Sequence, residues 1–400
     1  MLLFSIKVLE TQLKKEFILE IGKGSSTTES IESTTVSQRL LSLDVLRGFD
    51  MFFIIGGGVI LKKLSALFGD DFHLAIKQQL SHANWVGLTV EDMIMPLFMF
   101  ITGCSMVFSF DKRLKIDGLK KVYLHVFQRF SILWFLGMIY QGRLLNLNWE
   151  DTRFFSNTLQ AIAIGYLACS FILLLKKLHW QIISVIGLLL SYTLLSHFYP
   201  VPNFGAGNFS VEGNLAAYVD NLIMGSHRDG KKYTWILSSL NFTVTVMLGV
   251  FSGRLLKNKS ILDKQKVLRL LIYGLSTLGA GYSLSLIDPC IKKIWTSSFT
   301  LISGAYCILL LTLFYYIIDV VKFRKGLLFF SVIGANAIFV YMFHRFFKSE
   351  AFMHQFLLGL EQFVNSEELK LYPLIKSIAG LGLTWSILYF MYLKKIFIKV

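Results

Sequence analysis

Long apolar stretches, each close to 20 residues, follow one another along most of this chain and constrain its fold more than any other feature. A helix of about 20 residues is needed to cross the hydrocarbon core of a bilayer. Of the 400 residues, 54% are hydrophobic and only 16% are charged. The sequence therefore predicts an all-α, polytopic membrane protein built as one bundle of about ten transmembrane helices. The ten candidate spans are residues 40–61, 88–110, 122–142, 157–175, 180–198, 235–256, 270–287, 298–320, 326–344 and 373–393.

Outside these spans the chain has little room for a soluble domain. The longest remaining stretches are residues 1–38 and 199–234, and neither is rich enough in apolar residues to build a core. Residues 24–38 are rich in Ser, Thr and Glu, a composition typical of a flexible segment. We therefore expect two parts: a partly disordered cytoplasmic tail at 1–38 and one integral membrane domain at 39–400.

The net charge of +15 raises the question of a nucleic-acid partner. In membrane proteins, short cytoplasmic loops collect Lys and Arg. With the N-terminus inside, the inner segments hold 24 of these residues and the outer loops 13. This bias predicts that both termini of the multi-pass protein are cytoplasmic. No soluble basic face with interleaved aromatic residues is present, so the pattern argues against nucleic-acid binding. The four cysteines show neither a disulfide framework nor metal-ligand spacing.

The first predicted span carries charges that are expensive within a bilayer. Asp44, Arg47 and Asp50 are spaced three residues apart, so on a helix each lies one turn from the next. One interpretation is a ladder of ion pairs that fixes this helix in the bundle. The other is that the carboxylates orient Arg47 toward an anionic ligand that enters from the cytoplasm. Residues 56–58 are three glycines, which allow a backbone or a ligand to approach closely.

The entrance of the second span carries the other unusual group. His82 precedes Trp85, Gly87 and Asp92, and Pro96 follows early in the span, where it favours a kink. A kink leaves backbone N–H and C=O groups without their helical partners. At membrane depth such groups are tolerated only where they are buried in protein or line a water-filled cavity. Histidine is the usual general base near neutral pH, and Asp92 could hold its second nitrogen and fix the tautomer. An interfacial anchor is the structural alternative for His82.

Several sequence blocks resemble the heparan-α-glucosaminide N-acetyltransferase family, and a bacterial branch of it most closely. The strongest block runs from His82 to Asp92 and continues through residues 96–103. Further blocks lie on both sides of it, in the family's order, and reach the C-terminal region. They are Leu43-Asp44 to Arg47-Gly48, Gly56-Gly57-Gly58, Thr158-Leu159-Gln160, residues 213–220, residues 248–253, Lys293-x-Trp295-x-Ser297-Ser298 and Gly334-x-Asn336-x-Ile338-x-x-Tyr341.

The resemblance implies a transmembrane acetyltransferase that takes acetyl-CoA from the cytoplasmic face and delivers the acetyl group to an amino sugar or glycan on the other side. His82 matches the family's catalytic histidine and Asp92 a carboxylate that follows it. We expect coenzyme binding at Asp44, Arg47, Gly56, Gly57, Gln160, Lys293 and Trp295, and acceptor binding at Trp85, Asn336 and His344. For Gln160 an interhelical hydrogen bond is the structural alternative, and for His344 an interfacial anchor. Transfer could be direct or could pass through an acetyl-histidine.

The chain also departs from the family pattern. Ile54 stands where human-type members carry Asn, Ala161 stands where they carry Arg, and Lys232-Tyr233-Thr234-Trp235 replaces an Asp-Pro-Glu-Gly block. These changes remove polar groups, so they concern the acceptor more than acetyl transfer itself. Residues 199–234 are a candidate acceptor lid. A transporter that breaks no bond and a glycan O-acetyltransferase are the alternative functions, and a homodimer is left open.

Overall fold

The computed structural model describes residues 40–398 apart from 143, 145–147, 231 and 365–370. The expected tail at 1–38 lies outside these residues. The described chain is helical, and its only β-bridges are two isolated ones, Gly87 with Ile291 and Val201 with Gly205. The all-α prediction is therefore confirmed.

The first half of the chain contributes seven α-helices to the described structure. A π turn, Phe53–Gly57, separates the first two helices, and Gly56 in it has φ 129°. The fourth helix is broken at Gly118, where φ is 74°. The helices are α1 Leu41–Phe52, α2 Gly58–Ser65, α3 Asp70–Gln79, α4 Ile94–Gln141, α5 Thr158–Ile172, α6 Leu178–Phe198 and α7 Leu215–Met224.

The second half contributes eight more described α-helices. A second π turn, Tyr316–Val320, follows the third of them. These helices are α8 Ser239–Lys257, α9 Asp263–Leu284, α10 Ser297–Tyr315, α11 Leu327–Ala335, α12 Ala337–Phe346, α13 Ser349–Leu357, α14 Glu361–Val364 and α15 Tyr372–Leu393.

Several of these helices begin at residues that satisfy their first backbone N–H groups. The Asn157 side chain accepts from two N–H groups at the start of α5, and Asn214 accepts from Ala217 at the start of α7. Thr296 does the same for α10 by accepting from Phe299. Asn and Thr are favoured at this position because their side-chain oxygen replaces the missing intrahelical acceptor. Local sequence thus sets where these helices begin.

The described chain has seven segments long and apolar enough to cross a membrane, and eight if the bent pair α11 and α12 counts as one. The predicted number of ten is not reached. Residues 40–61 are helical but interrupted by the π turn, and α5 has only 15 residues. The other eight predicted spans each coincide with a segment in this set, and α11 meets α12 at 78°. A multi-pass membrane protein is therefore supported, whereas its orientation in the membrane stays a prediction.

Glycines allow the central helices to approach to backbone contact. A methyl group at Gly48 on α1 would lie 1.8 Å from the carbonyl oxygen of Phe330 on α11, and one at Gly334 would lie 2.2 Å from that of Asp44. The same holds for α4 and α8, since a methyl group at Gly103 would lie 1.9 Å from the oxygen of Val246. Small residues at helix contacts are a common means of tight association in membranes. These crossings hold α1 and α4 against the rest of the bundle.

We predict that Gly48→Ala destabilises the protein by about 3 kcal/mol, because backbone atoms rather than a flexible side chain would have to move. The midpoint of thermal unfolding of the purified protein in mild detergent measures this. Gly382→Ala in α15 is the matched control, since no described atom lies within 4 Å of its added methyl group. The control should stabilise slightly, by about 0.5–1 kcal/mol, because Ala is the better helix former. Equal effects of the two substitutions would contradict the close crossing.

Candidate active site

His82 lies on the loop between α3 and α4, and this loop is fixed at two points. Trp85 donates its Nε1–H to the carbonyl of Phe209 at 2.8 Å. Gly87, with φ 120°, donates its N–H to the carbonyl of Cys290 at 2.8 Å and pairs with Ile291. A positive φ is readily adopted only by glycine, so Gly87 is suited to this turn. The loop is thereby held against the segment that precedes α10.

Asp92 lies in the 3-10 turn Val90–Met93 just before α4 and is only 1% exposed. Its Oδ2 accepts from the Ala83 N–H at 3.1 Å, and from the N–H and hydroxyl of Thr89 at 3.2 and 3.0 Å. Its Oδ1 accepts from His82 Nδ1 at 2.9 Å and lies 3.2 Å from Lys292 Nζ. Thr89 and Asp92 form a capping box, which begins the helix and orients the carboxylate in one step.

The expected contact between His82 and Asp92 is therefore present, and it determines the imidazole tautomer. An ionised carboxylate only accepts hydrogen bonds, so Nδ1 carries the proton and Nε2 keeps its lone pair. The His82 side chain is 48% exposed, whereas Asp92 is buried. No partner of Nε2 is found among the described residues. This nitrogen is available as a base.

Lys292 completes the cluster and was missed by the sequence analysis. Its side chain is 8% exposed, and Nζ lies 3.2 Å from Asp92 and 3.4 Å from His82 Nδ1. Burial lowers the pKa of the Lys292 ammonium, and the adjacent Asp92 carboxylate opposes this shift. The cluster thus has one buried negative charge with one buried positive charge beside it and an imidazole at its surface.

The turn that carries Lys292 is held on several sides. Trp295, which ends it, has φ 49°, an uncommon value for a bulky residue. Asn241 donates to the carbonyl of Trp295 at 2.8 Å, and the Ser238 hydroxyl donates to that of Ile294 at 3.0 Å. The N–H of Thr234 donates to the carbonyl of Lys293 at 2.9 Å. These contacts fix the backbone from which Lys292 reaches Asp92.

A cavity of about 490 Å³ opens beside this cluster, and we call it the His82 cavity. The volume falls in the range of small-ligand sites. Its polar wall includes two cations and two carboxylates besides the imidazole, and aromatic rings line the remainder. The residues that line the cavity include Phe53, Ile54, Gly58, Val59, Lys62, His82, Glu91, Ile94, Tyr140, Asn157, Asp229, Tyr233, Trp235, Lys292 and Tyr341. Those that lie in loops belong to segments that the charge bias predicts to be outside.

One stacked pair of aromatic rings lines the His82 cavity, and one buried carboxylate outside the lining holds Trp235 in place. Tyr140 and Tyr341 stack with ring centroids 4.6 Å apart. Asp220 accepts from the N–H groups of Trp235 and Ile236 at 2.8 and 2.9 Å, which holds the end of the 199–234 segment in place. Burial raises the pKa of the Asp220 carboxyl to about 6. Part of the segment predicted as a lid therefore lines the cavity.

The charged residues of the first span divide differently from the predicted ladder. Arg47 Nη1 lies 3.2 Å from Asp44 Oδ1, and Nη2 donates to the Ser105 hydroxyl at 2.8 Å. Asp50 forms no ion pair with any described residue and is 1% exposed. Neither Asp44 nor Arg47 lines the His82 cavity. The ion pair of Asp44 with Arg47 is thus present, and the three-residue ladder is wrong for Asp50.

The predicted glycines and Gln160 mainly serve the fold. Gly57 packs against the ring of Phe52, and Gly58 lines the His82 cavity. Gln160 is buried, and its Oε1 accepts from the N–H of Ser156 and from the Asn157 amide, each at 2.9 Å. Its amide donates in turn to a carbonyl. The polar groups of Gln160 are therefore engaged locally, and no interhelical hydrogen bond of Gln160 is found among the described residues. The neighbouring Asn157 makes one instead, because its amide donates to the carbonyl of Gly137 on α4.

Three further predicted residues surround the loop that carries His82 without lining its cavity. Lys293 donates to the carbonyl of Asn84, and its ammonium lies 5.9 Å from the centre of the Trp85 ring. Trp295 is buried, packs edge-on against Phe242 and donates to Thr245 at 3.4 Å. Lys292 thus contacts Asp92 and His82, whereas the adjacent Lys293 contacts the backbone of the His82 loop.

Asn336 and His344 lie on the bent pair of helices. Asn336 is fully buried at the bend, where its amide donates to the carbonyl of Ile396 at 3.0 Å and its oxygen accepts from the N–H of Ile398 at 2.9 Å. It anchors the C-terminal segment and does not line the His82 cavity. His344 lies on α12, one turn beyond Tyr341, which does line the cavity.

No family model matches the chain. Two curated proteins, both named heparan-alpha-glucosaminide N-acetyltransferase, do. The chain is 25% identical to the Mus musculus protein over 386 residues, and 26% identical to the Homo sapiens protein over 433 residues. These alignments cover 80% and 90% of the chain. The chain is a distant homologue of these acetyltransferases. It spans less than two thirds of their length, 56% and 60% respectively.

The resemblance found in the sequence blocks is thus confirmed as distant homology, and the departures from the acetyltransferase pattern can be located. Ile54 lines the His82 cavity, and so do Tyr233 and Trp235 of the substituted block. Ala161 is fully buried on α5 and does not line it. Two of the three departures therefore change the chemistry of the cavity wall.

We predict that Lys292→Met destabilises the protein by about 3–5 kcal/mol, because it leaves the Asp92 charge buried without its cation. Lys293→Met is the matched control at the neighbouring position, where the ammonium is partly exposed, and it should cost less than about 1 kcal/mol. Unfolding midpoints in the same detergent compare the two. A Lys292 variant as stable as the Lys293 variant would show that the buried ion pair does not hold the site together.

Proposed function

We propose that this protein is a membrane acetyltransferase that moves an acetyl group from acetyl-CoA, supplied from the cytoplasm, to an amino sugar or glycan on the opposite side of the inner membrane. The observation that carries the proposal is the cluster of His82, Asp92 and Lys292 on the wall of the His82 cavity. The distant homology to two proteins named as N-acetyltransferases supports the reaction class.

The geometry supports general base catalysis by His82. Asp92 holds Nδ1, so Nε2 accepts a proton from the attacking amine or hydroxyl while the new bond to the acetyl carbon forms. The carbon–sulfur bond of the thioester then breaks, and the imidazolium returns its proton to the departing sulfur. Asp92 stabilises the positive imidazole between these two steps. Each proton taken up by His82 is released in the same turnover.

Lys292 is suited to stabilise the negative charge that develops on the thioester oxygen. Its ammonium lines the His82 cavity, is buried and is fixed by Asp92 and a rigid turn. A preorganised positive group in surroundings of low polarity stabilises such charge far more than it would in water. The amide of Asn336, a residue predicted to bind the acceptor, donates to the carbonyl of Ile396. We therefore assign the oxyanion contact to Lys292.

Arg47 is the residue that we propose to bind the phosphate groups of the donor, acetyl-CoA. Its guanidinium is 26% exposed and is oriented by Asp44 and Ser105. A planar, oriented guanidinium is well suited to phosphate groups such as those of coenzyme A. Since Arg47 does not line the His82 cavity, the donor has to reach from this end of α1 to the imidazole.

The His82 cavity is the proposed binding site of the acceptor. Stacked Tyr140 and Tyr341 and the ring of Trp235 offer flat apolar surfaces, and Glu91 and Asp229 offer hydrogen-bond acceptors. Carboxylates beside aromatic rings suit a polyhydroxylated ligand with an amino group. Ile54 makes one wall less polar than the related pattern would, so we expect an acceptor different from that of the animal relatives.

We predict that His82→Ala lowers acetyl transfer from labelled acetyl-CoA to glucosamine by about 10³-fold, because the base is lost. His179→Ala, an exposed histidine at the start of α6, is the matched control and should keep full activity. The unfolding midpoint of each variant checks that the fold is retained. Unchanged turnover in a folded His82 variant would remove this residue from the mechanism.

A transporter is the competing function, and a second assay separates it from the enzyme. The carboxylates that a proton or ion relay would need are already paired. Asp92 is bound by His82 and Lys292, and Asp44 is bound by Arg47. In proteoliposomes, the acetyltransferase should release free coenzyme A only when acceptor is present. Accumulation of glucosamine without acetyl-CoA would instead favour transport.

A further inference from the structure

A second cavity, of about 420 Å³, lies beside α1 and is distinct in character from the His82 cavity. We call it the Asp50 cavity. Its lining is apolar apart from one carboxyl group, one phenol and one thiol. The residues that matter here are Phe49, Asp50, Phe53, Val90, Tyr306 and Leu310. The proposed acetyl transfer uses none of its polar groups.

The Asp50 carboxyl is the unusual feature of this cavity. The residue is 1% exposed, and Oδ2 is buried without a hydrogen-bond partner. No Lys, Arg or His lines the cavity. Buried carboxyl groups are normally hydrogen-bonded or paired with a cation. Among the described residues, none supplies such a partner to Asp50, so the carboxyl group is open to a ligand in the cavity.

The rim of the Asp50 cavity is exposed and lies on segments predicted to cross the membrane. Val90 is 46% exposed, Tyr306 38% and Leu313 51%, and all three line the cavity. They lie on segments apolar and long enough to cross a membrane. An apolar molecule dissolved in the bilayer can therefore reach the cavity from the side.

We propose that the Asp50 cavity binds a membrane-soluble amine, with its ammonium group at the Asp50 carboxylate and its apolar body in the remainder of the cavity. Charge complementarity favours an amine over an alcohol, because a carboxyl group in apolar surroundings can give its proton to an amine and form an ion pair with the resulting ammonium group. The aromatic rings beside Asp50 also favour an amine as the ligand. Phe49 and Phe53 pack at a centroid distance of 5.2 Å beside Asp50, and ring faces attract desolvated cations. The proposal does not depend on acetyl transfer.

Photoaffinity labelling in phosphatidylcholine nanodiscs tests this site. The probe is an alkylamine that carries a diazirine, and peptide mass spectrometry locates the label. We expect saturable labelling of α1 and α10, at least tenfold better displaced by decylamine than by decanol. In Asp50→Asn this preference should fall below twofold, whereas Asp319→Asn, a carboxylate that accepts from the Ser42 N–H, should retain it. Equal displacement by the two competitors in the native protein, or a preference retained in Asp50→Asn, would overturn the proposal.

A second variant keeps the test decisive if Asp50→Asn does not fold. Leu310→Trp leaves the carboxyl in place and fills the cavity from the α10 side. It should abolish the displaceable labelling while His82-dependent acetyl transfer, if present, continues. Labelling that persists unchanged in a folded Leu310→Trp protein would place the amine elsewhere and refute the assignment.

Discussion

The buried Asp92 carboxylate is the group on which the arrangement around the His82 cavity depends. A buried ion is tolerated only when its neighbours satisfy it with charge and hydrogen bonds. Those neighbours come from the His82 loop, from Thr89 before α4 and from Lys292 before α10. Two segments far apart in sequence, the loop before α4 and the turn before α10, are thus tied to one negative charge. Because His82 is held through Nδ1, it stays oriented although half of its side chain is exposed.

Much of the helical framework could be predicted from hydropathy alone, because length and apolar content are local properties. The span expected at 373–393 is observed as Tyr372–Leu393, and that at 180–198 as Leu178–Phe198. The prediction was less successful where a tertiary contact decides the backbone. The π turn at Phe53–Gly57 interrupts the first segment, and hydropathy carries no signal for it. Because of this turn and the short α5, only seven or eight described segments have the length and apolar content of a span, and the predicted number of ten is not confirmed.

The candidate site shows the same division between local and non-local information. His82 and Asp92 are ten residues apart, and a helix start with a capping box brings them together, so their contact could be anticipated. Lys292 could not be, since a lysine in an outer loop is usually solvated. Its burial results from a turn with Trp295 at positive φ and from contacts with α8. The Asn336 side chain forms hydrogen bonds with the backbone of Ile396 and Ile398, more than 50 residues further along the chain. No sequence motif reveals this contact.

The π turn in the first segment also explains how one helix can serve two different cavities. In an uninterrupted α-helix, positions 50, 54 and 58 lie along one face. Here Asp50 lines the cavity named after it, whereas Ile54 and Gly58 line the His82 cavity. Phe53 lines both cavities. The π turn, with Gly56 at φ 129°, changes the direction in which the following residues point. Gly56, the first glycine of the block that resembles a family motif, is therefore explained by backbone geometry: its positive φ lets α2 leave the π turn in a new direction.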